Sequence, residues 1–238
     1  MKPFKLIHNV VFFCTFTFFI MAGLPGNLRA AVVTSFDEID YWVGSGSNSA
    51  ALVVAWNDGI SPVSLAWGFH WDGIATGEQM FKAIAGATLG DVTATGADSR
   101  LSIYITSYSF GNAIDRIVYD GDGYDHDSAG FLSGGYWEYY CMGGTFDTPP
   151  DGNPNLYAGS SSYPGTGGSP DWISSWTGFS DRELSDGSWD GWSFAPDFVS
   201  QSIVAPVAAV PEPGILTLIS IAGVLVISFR RRTRLLRS

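Results

Sequence analysis

The chain has 238 residues and a formal charge of −11, but that balance conceals two unlike parts. Between residues 31 and 209 only four basic residues face 22 acidic ones, a formal −18, and the other eight basic residues sit at the two ends. A field of that sign repels nucleic acid and anionic membrane surfaces, which excludes both as partners of the central part, and it favours cations and neutral or basic ligands.

At the start, Lys2 and Lys5 precede residues 10–22 (VVFFCTFTFFIMA), which carry no charge. Gly23, Pro25 and Gly26 then break the helix, and Leu28-Arg29-Ala30-Ala31 offers a small residue for cutting. These are the parts of a secretory signal peptide. Residues 1–30 are therefore expected to form a signal helix cleaved after Ala30, with an uncleaved anchor as the other reading. Either one places residues 31–209 outside the cytoplasm.

Residues 31–194 are expected to form a single extracytoplasmic domain. All nine tryptophans lie there, so apolar material suffices for a core despite the acidity. Its many glycines suit short strands joined by tight turns. Residues 52–56 and 64–71 alternate with strand period around a turn-rich stretch. In the second, Leu65, Trp67, Phe69 and Trp71 share one face, and Ser64, Ala66, Gly68 and His70 the other. Thr76 followed by Gln79 predicts a capping box, and Met80, Ile84 and Ala87 continue a helix towards Gly90. Further strands are predicted over residues 101–110, 113–119 and 135–141, and a last pair flanks Leu184-Ser185-Asp186-Gly187. Residues 145–170, rich in Pro, Gly, Ser and Asn, read as a long mobile or functional loop. Residues 195–209 read as a linker. The fold class is α+β and β-rich: a mainly antiparallel sheet with one short packed helix, a signal helix before it and a single transmembrane helix after it.

That last helix belongs to residues 210–238. Pro211 and Pro213 fix their own φ and push Val210 and Glu212 towards extended backbone, so the tetrapeptide stands clear of the apolar run behind it. Residues 214–229 are uncharged, and sixteen helical residues span roughly 24 Å against a hydrocarbon core of about 30 Å. Arg230, Arg231, Arg232 and Arg234 make up the difference by snorkelling and place the C-terminus in the cytoplasm. A buried core helix with a basic tail is the alternative, against which the run shows no polar stripe.

A C-terminal Val210-Pro211-Glu212-Pro213, one apolar helix and an arginine cluster, behind a signal peptide, resemble the PEP-CTERM sorting signal of Gram-negative bacteria. The resemblance implies an exosortase as processing partner, a membrane-anchored intermediate held by the C-terminal helix, and delivery to the cell surface or extracellular matrix. On it, Val210 to Pro213 are a recognition element in a substrate. The order of elements from residue 50 to 195, with ATGEQMFKAI, GYWEYYCMGG and ELSDGSWDGWSF, resembles the C-terminal domain of transcobalamin and its bacterial relatives. It implies a helix on a mainly antiparallel sheet; residues 145–170 depart from it, and no binding residue is carried over.

Two constellations carry chemistry. Asp120, Asp122, Asp125 and Asp127, on a stretch loosened by glycine, suit an oxygen-seeking cation such as Ca²⁺, or are simply a solvated acidic turn. The EF-hand pattern fails, since Phe131 stands where the distal glutamate belongs. Trp137, Tyr139, Tyr140, Trp172 and Trp176 flank the long loop; some belong to the core, and those at the loop's rim are candidates to line a ligand groove and stack on sugar faces. Cys141 has no intramolecular partner once residues 1–30 leave, and no G-x-S-x-G elbow presents a serine. The expectation is a non-catalytic surface or matrix protein whose domain is a binding or structural module, with extracellular polysaccharide as a candidate partner and no cofactor other than Ca²⁺. The alternatives are a surface carbohydrate-active enzyme using paired carboxylates and a calcium-stabilised carbohydrate-binding module.

Overall fold

The structure, a computed structural model, describes residues 31–88, 96–109, 111–121, 124–130, 134–146 and 155–210. The expected signal helix, Pro211, Glu212 and Pro213, the apolar run, and Arg230, Arg231, Arg232 and Arg234 lie outside them. Among the described residues no helix is long and apolar enough to cross a membrane. All described residues belong to one compact unit that begins at Ala31.

Its strands are β1 (Trp42–Gly44), β2 (Asn48–Ala55), β3 (Ser64–Trp71), β4 (Ala85–Thr88), β5 (Asp98–Tyr108), β6 (Gly111–Gly121), β7 (Tyr124–Ala129), β8 (Gly135–Met142), β9 (Ile173–Ser174), β10 (Ser188–Pro196) and β11 (Val207–Ala208), with one α-helix, α1 (Gly77–Ile84). The large sheet runs β1-β3-β2-β10-β8-β9, with β11 on the same outer edge of β3 as β1. A second sheet runs β4-β5-β6-β7. The domain is thus β-rich α+β with one short helix. Both sheets are mixed: β2 with β10, β3 with β1 and β11, and β4 with β5 are parallel.

The alternation expected over residues 52–56 does not hold: β2 is buried on both sides, and residues 51–55 are an unbroken apolar run. Leu52, Val54 and Trp56 join Leu65, Trp67, Phe69 and Trp71 in the core between the two sheets. Leu101, Ile103 and Ile105 of β5 complete it from the small sheet. Ile114 and Ile117 both point inward although three apart, because a bulge leaves Asp115 without a cross-strand partner. The opposite face of the large sheet, with Ala51, Val53, Ala66 and Trp189, is covered by Val33, Ile39 and Tyr163.

α1 starts where predicted. Thr76 Oγ1 accepts from the Gln79 amide at 3.3 Å, and Gln79 Oε1 accepts from the Thr76 amide at 2.9 Å. Gly77, Met80, Phe81 and Ile84 form its buried stripe. The helix ends at Ile84, however, and the residues expected to extend it form β4 beside β5.

Two stretches expected as a loop and a linker are held on the domain. In the long loop, Ser162 bridges Ser35, Tyr157 bridges Gly144, and Tyr163 is buried. In the expected linker, β11 pairs with Leu65 and Ala66 of β3, and Ala208 and Ala209 are buried. Val32 bridges Val207, so the first described residues and β11 lie side by side at one sheet edge. Arg100, held by Asp98, also donates to the Val210 carbonyl at 2.6 Å.

Candidate functional site

The hairpin of β6 and β7 settles the placement of most of the acidic constellation. Gly121 pairs with Tyr124, and Asp120 stands directly opposite Asp125. The expected glycine-loosened loop is thus mostly strand, and period-two alternation divides its side chains. Asp127 is gripped by the Arg116 guanidinium, which raises the pKa of Arg116 through that hydrogen bond. His126 points the other way, stacked on Trp56 at 4.4 Å and bonded to Asp58 at 2.9 Å. Asp122 lies outside the described residues. Among the described residues no three His, Cys, Asp or Glu side chains converge as a metal site would require.

The aromatic constellation behaves differently. On β8, Trp137 and Tyr139 face the space between the sheets, and Tyr140 faces away, its hydroxyl donating to Glu138 at 3.1 Å. Trp172 also lies away, packed on the second core with its indole N–H donating to Tyr163. Trp137, Tyr139 and Trp176 come together in a cleft of about 480 Å³, joined by Asn112 of β6, Trp192 of β10, and Ser175, Thr177, Phe179 and Ser180. Three of the five expected aromatics thus line one site, and strand alternation sends Tyr140 elsewhere.

The floor is rigid for identifiable reasons. Trp192 pairs with Tyr139 across β10 and β8, and their rings stack at 4.4 Å and 13°. Phe179 meets Trp192 edge-on at 5.5 Å. The Ser175 amide donates to the Tyr139 carbonyl, and the Glu78 amide, in the first turn of α1, donates to the Phe179 carbonyl. Trp137 fixes its indole by donating to the Ser128 carbonyl at 3.2 Å. Trp176 is the exception: its side chain stands at the rim, 86% exposed.

Beneath this floor lies a buried charge network. Asp190 Oδ1 accepts from Arg182 Nε at 2.7 Å, and Asp190 Oδ2 accepts from the Tyr139 hydroxyl. Arg182 also donates to the Thr145 carbonyl. Burial alone would lower the Arg182 pKa, but Asp190, Tyr139 and Cys141 outweigh it and keep the guanidinium charged. Burial first, and Asp190 second, push the Tyr139 hydroxyl well above its ordinary range. Cys141, also buried, is pushed up to about 11, with Arg182 opposing. Gly77 opens α1 because a Cβ there would lie 2.7 Å from both Asp190 Oδ2 and the Tyr139 hydroxyl. Sequence reasoning misses Asn112, Trp192, Phe179, Ser175, Thr177 and Ser180. The one signal is for Trp192: its spacing from Asp190 puts both on the same face of β10.

Fold and site together define a class: a β-rich α+β domain that carries an uncharged aromatic cleft over a buried Arg–Asp–Tyr network. No protein-family model, curated protein or solved structure matches the chain.

Proposed function

We propose that the chain is exported as a precursor, held in the inner membrane of a Gram-negative bacterium by a helix over residues 214–229, and sorted by an exosortase to the cell surface or matrix. Its domain then acts there as a non-catalytic binding module. The observation that supports this best is the start of the compact unit at Ala31, where signal cleavage after Ala30 would leave it. β11 ends at Ala208, and the carbonyl of Val210, first residue of the Val-Pro-Glu-Pro motif, accepts from Arg100. The cleft supports the binding role: aromatic faces and hydroxyls on a rigid floor are the chemistry of a preformed ligand site.

The test is replacement of Pro211 and Pro213 by alanine in a Gram-negative host that carries an exosortase. The wild-type chain should lose its C-terminal helix and reach the surface or medium, and the variant should stay full-length in the membrane. Unchanged processing and release of the variant would count against the sorting role.

A further inference from the structure

The ligand class of the cleft can be narrowed, on the reading of the domain as a binding module. We propose that the cleft takes the ring of a neutral glycan, stacked on Trp176 at the rim and hydrogen-bonded by Ser180 in the wall.

Charge comes first. The domain is formally −18, but among the described residues the cleft is lined only by aromatic, hydroxyl, amide and small aliphatic types, with no charged side chain. Anionic ligands are repelled by the surrounding field, and cationic ones find no carboxylate to pair with in the lining. A neutral ligand is what remains.

The cleft also mixes two kinds of surface. An indole 86% exposed is a large apolar face left in water, and here it stands beside a preformed cleft. A pyranose ring has a face of C–H groups and a rim of hydroxyls, so it needs an aromatic plane and hydroxyl partners within one ring's width. The lining of the cleft includes both residue types, and its volume of about 480 Å³ falls within the range of about 300–1,000 Å³ typical of small-ligand sites.

The donor inventory separates a glycan from an extended peptide, which also favours aromatic grooves. A peptide is read through donors aimed at its carbonyls. Here the Tyr139 hydroxyl is committed to Asp190, the Trp137 indole N–H to Ser128, and the Asn112 amide to Glu78. Ser180 Oγ is shielded from solvent and has no hydrogen-bond partner among the described residues. A hydroxyl both donates and accepts, as a sugar hydroxyl does, so the two satisfy one another, and an unsatisfied buried hydroxyl is relieved.

The experiment uses the full chain in a detergent without a sugar headgroup. Neutral tetrasaccharides of glucose, galactose, mannose and N-acetylglucosamine are titrated by calorimetry, with decaproline as the peptide probe. At least one saccharide should bind saturably and decaproline should not. Trp176→Ala should weaken binding about tenfold or more, as truncation of an aromatic anchor does, and Ser180→Ala several-fold. Trp176→Ala should melt as the wild type does and Ser180→Ala no lower, because neither change opens a cavity in the core and the second removes an unsatisfied hydroxyl. Trp176-dependent binding of decaproline would overturn the glycan assignment but keep the cleft as a binding site. Failure of both probe classes would overturn the assignment together with the binding-module reading. Saccharide binding that survives Trp176→Ala would overturn the site.

Discussion

Asp190 should be the most sensitive single position beneath the cleft. Asp190→Ala deletes the acceptor of Arg182 Nε at 2.7 Å, a fully buried pair, and of the part-buried Tyr139 hydroxyl. Among the described residues Arg182 keeps only the Thr145 carbonyl, so its buried charge loses its counter-ion. Breaking a buried pair from one side costs about 3–5 kcal/mol, and an orphaned hydroxyl adds to that. A total of about 4 kcal/mol or more is a large share of the roughly 5–15 kcal/mol that holds a domain together. For a domain of this size each kcal/mol shifts Tm by about 2–4 °C, so the variant should melt about 8–16 °C lower. Thermal unfolding recorded by near-ultraviolet circular dichroism reads this directly, because the stacked Tyr139–Trp192 pair reports in that band. Asp190→Leu combined with Arg182→Met removes both charges and should recover much of the loss. A shift of under about 3 °C for Asp190→Ala, or a double variant less stable than the single one, would refute the reasoning.

Two further outcomes rest on the same chemistry. Cys141 has its thiol raised from the ordinary 9.0 to about 11 by burial, so the unfolded chain ionises first. Stability is then complete below about pH 9 and falls by about 1.4 kcal/mol per pH unit as pH rises towards 11. Cys141→Ala should flatten that slope in urea titrations between pH 9 and 11, and parallel slopes would contradict the assignment. Thr76→Ala removes the side-chain half of the capping box and should cost about 0.5–2 kcal/mol, read from the urea midpoint; an unmoved midpoint would show that the cap contributes nothing.

How far the sequence reveals this molecule depends on the range of the interaction concerned. β3 is legible to its end residues because its alternation repeats one rule, large apolar side chains on one face and smaller residues on the other. The start of α1 is legible because a capping box is local. Its end is not: Ala85 to Thr88 continue the helical pattern, and only their pairing with β5 turns them into strand. The same holds for residues 207 and 208, two apolar positions between prolines, whose place on β3 is fixed by a partner about 140 residues earlier. Tyr163 looks like one aromatic in a loop of Gly and Pro, but it seals the second core against Trp189 and Trp172. In the cleft, the β8 aromatics are visible as a cluster, and their division between two faces arises from period two. Composition cannot show that residues 175–180 fold back over β8, because backbone hydrogen bonds to Tyr139 and Phe146 decide that. The acidic constellation divides for a related reason. Proximity in sequence suggests convergence, but Asp120 and Asp125 oppose each other across β6 and β7, and Asp127, on the same face as Asp125, is taken by Arg116.

The central claim is that the acidic domain lies outside the cytoplasm with the arginine-rich end inside. Alkaline phosphatase, active only outside the cytoplasm, can be fused in place of residues 210–238 or after Ser238. The first fusion should be active in intact cells and the second inactive. Activity after Ser238, or none in the first fusion, would contradict the account.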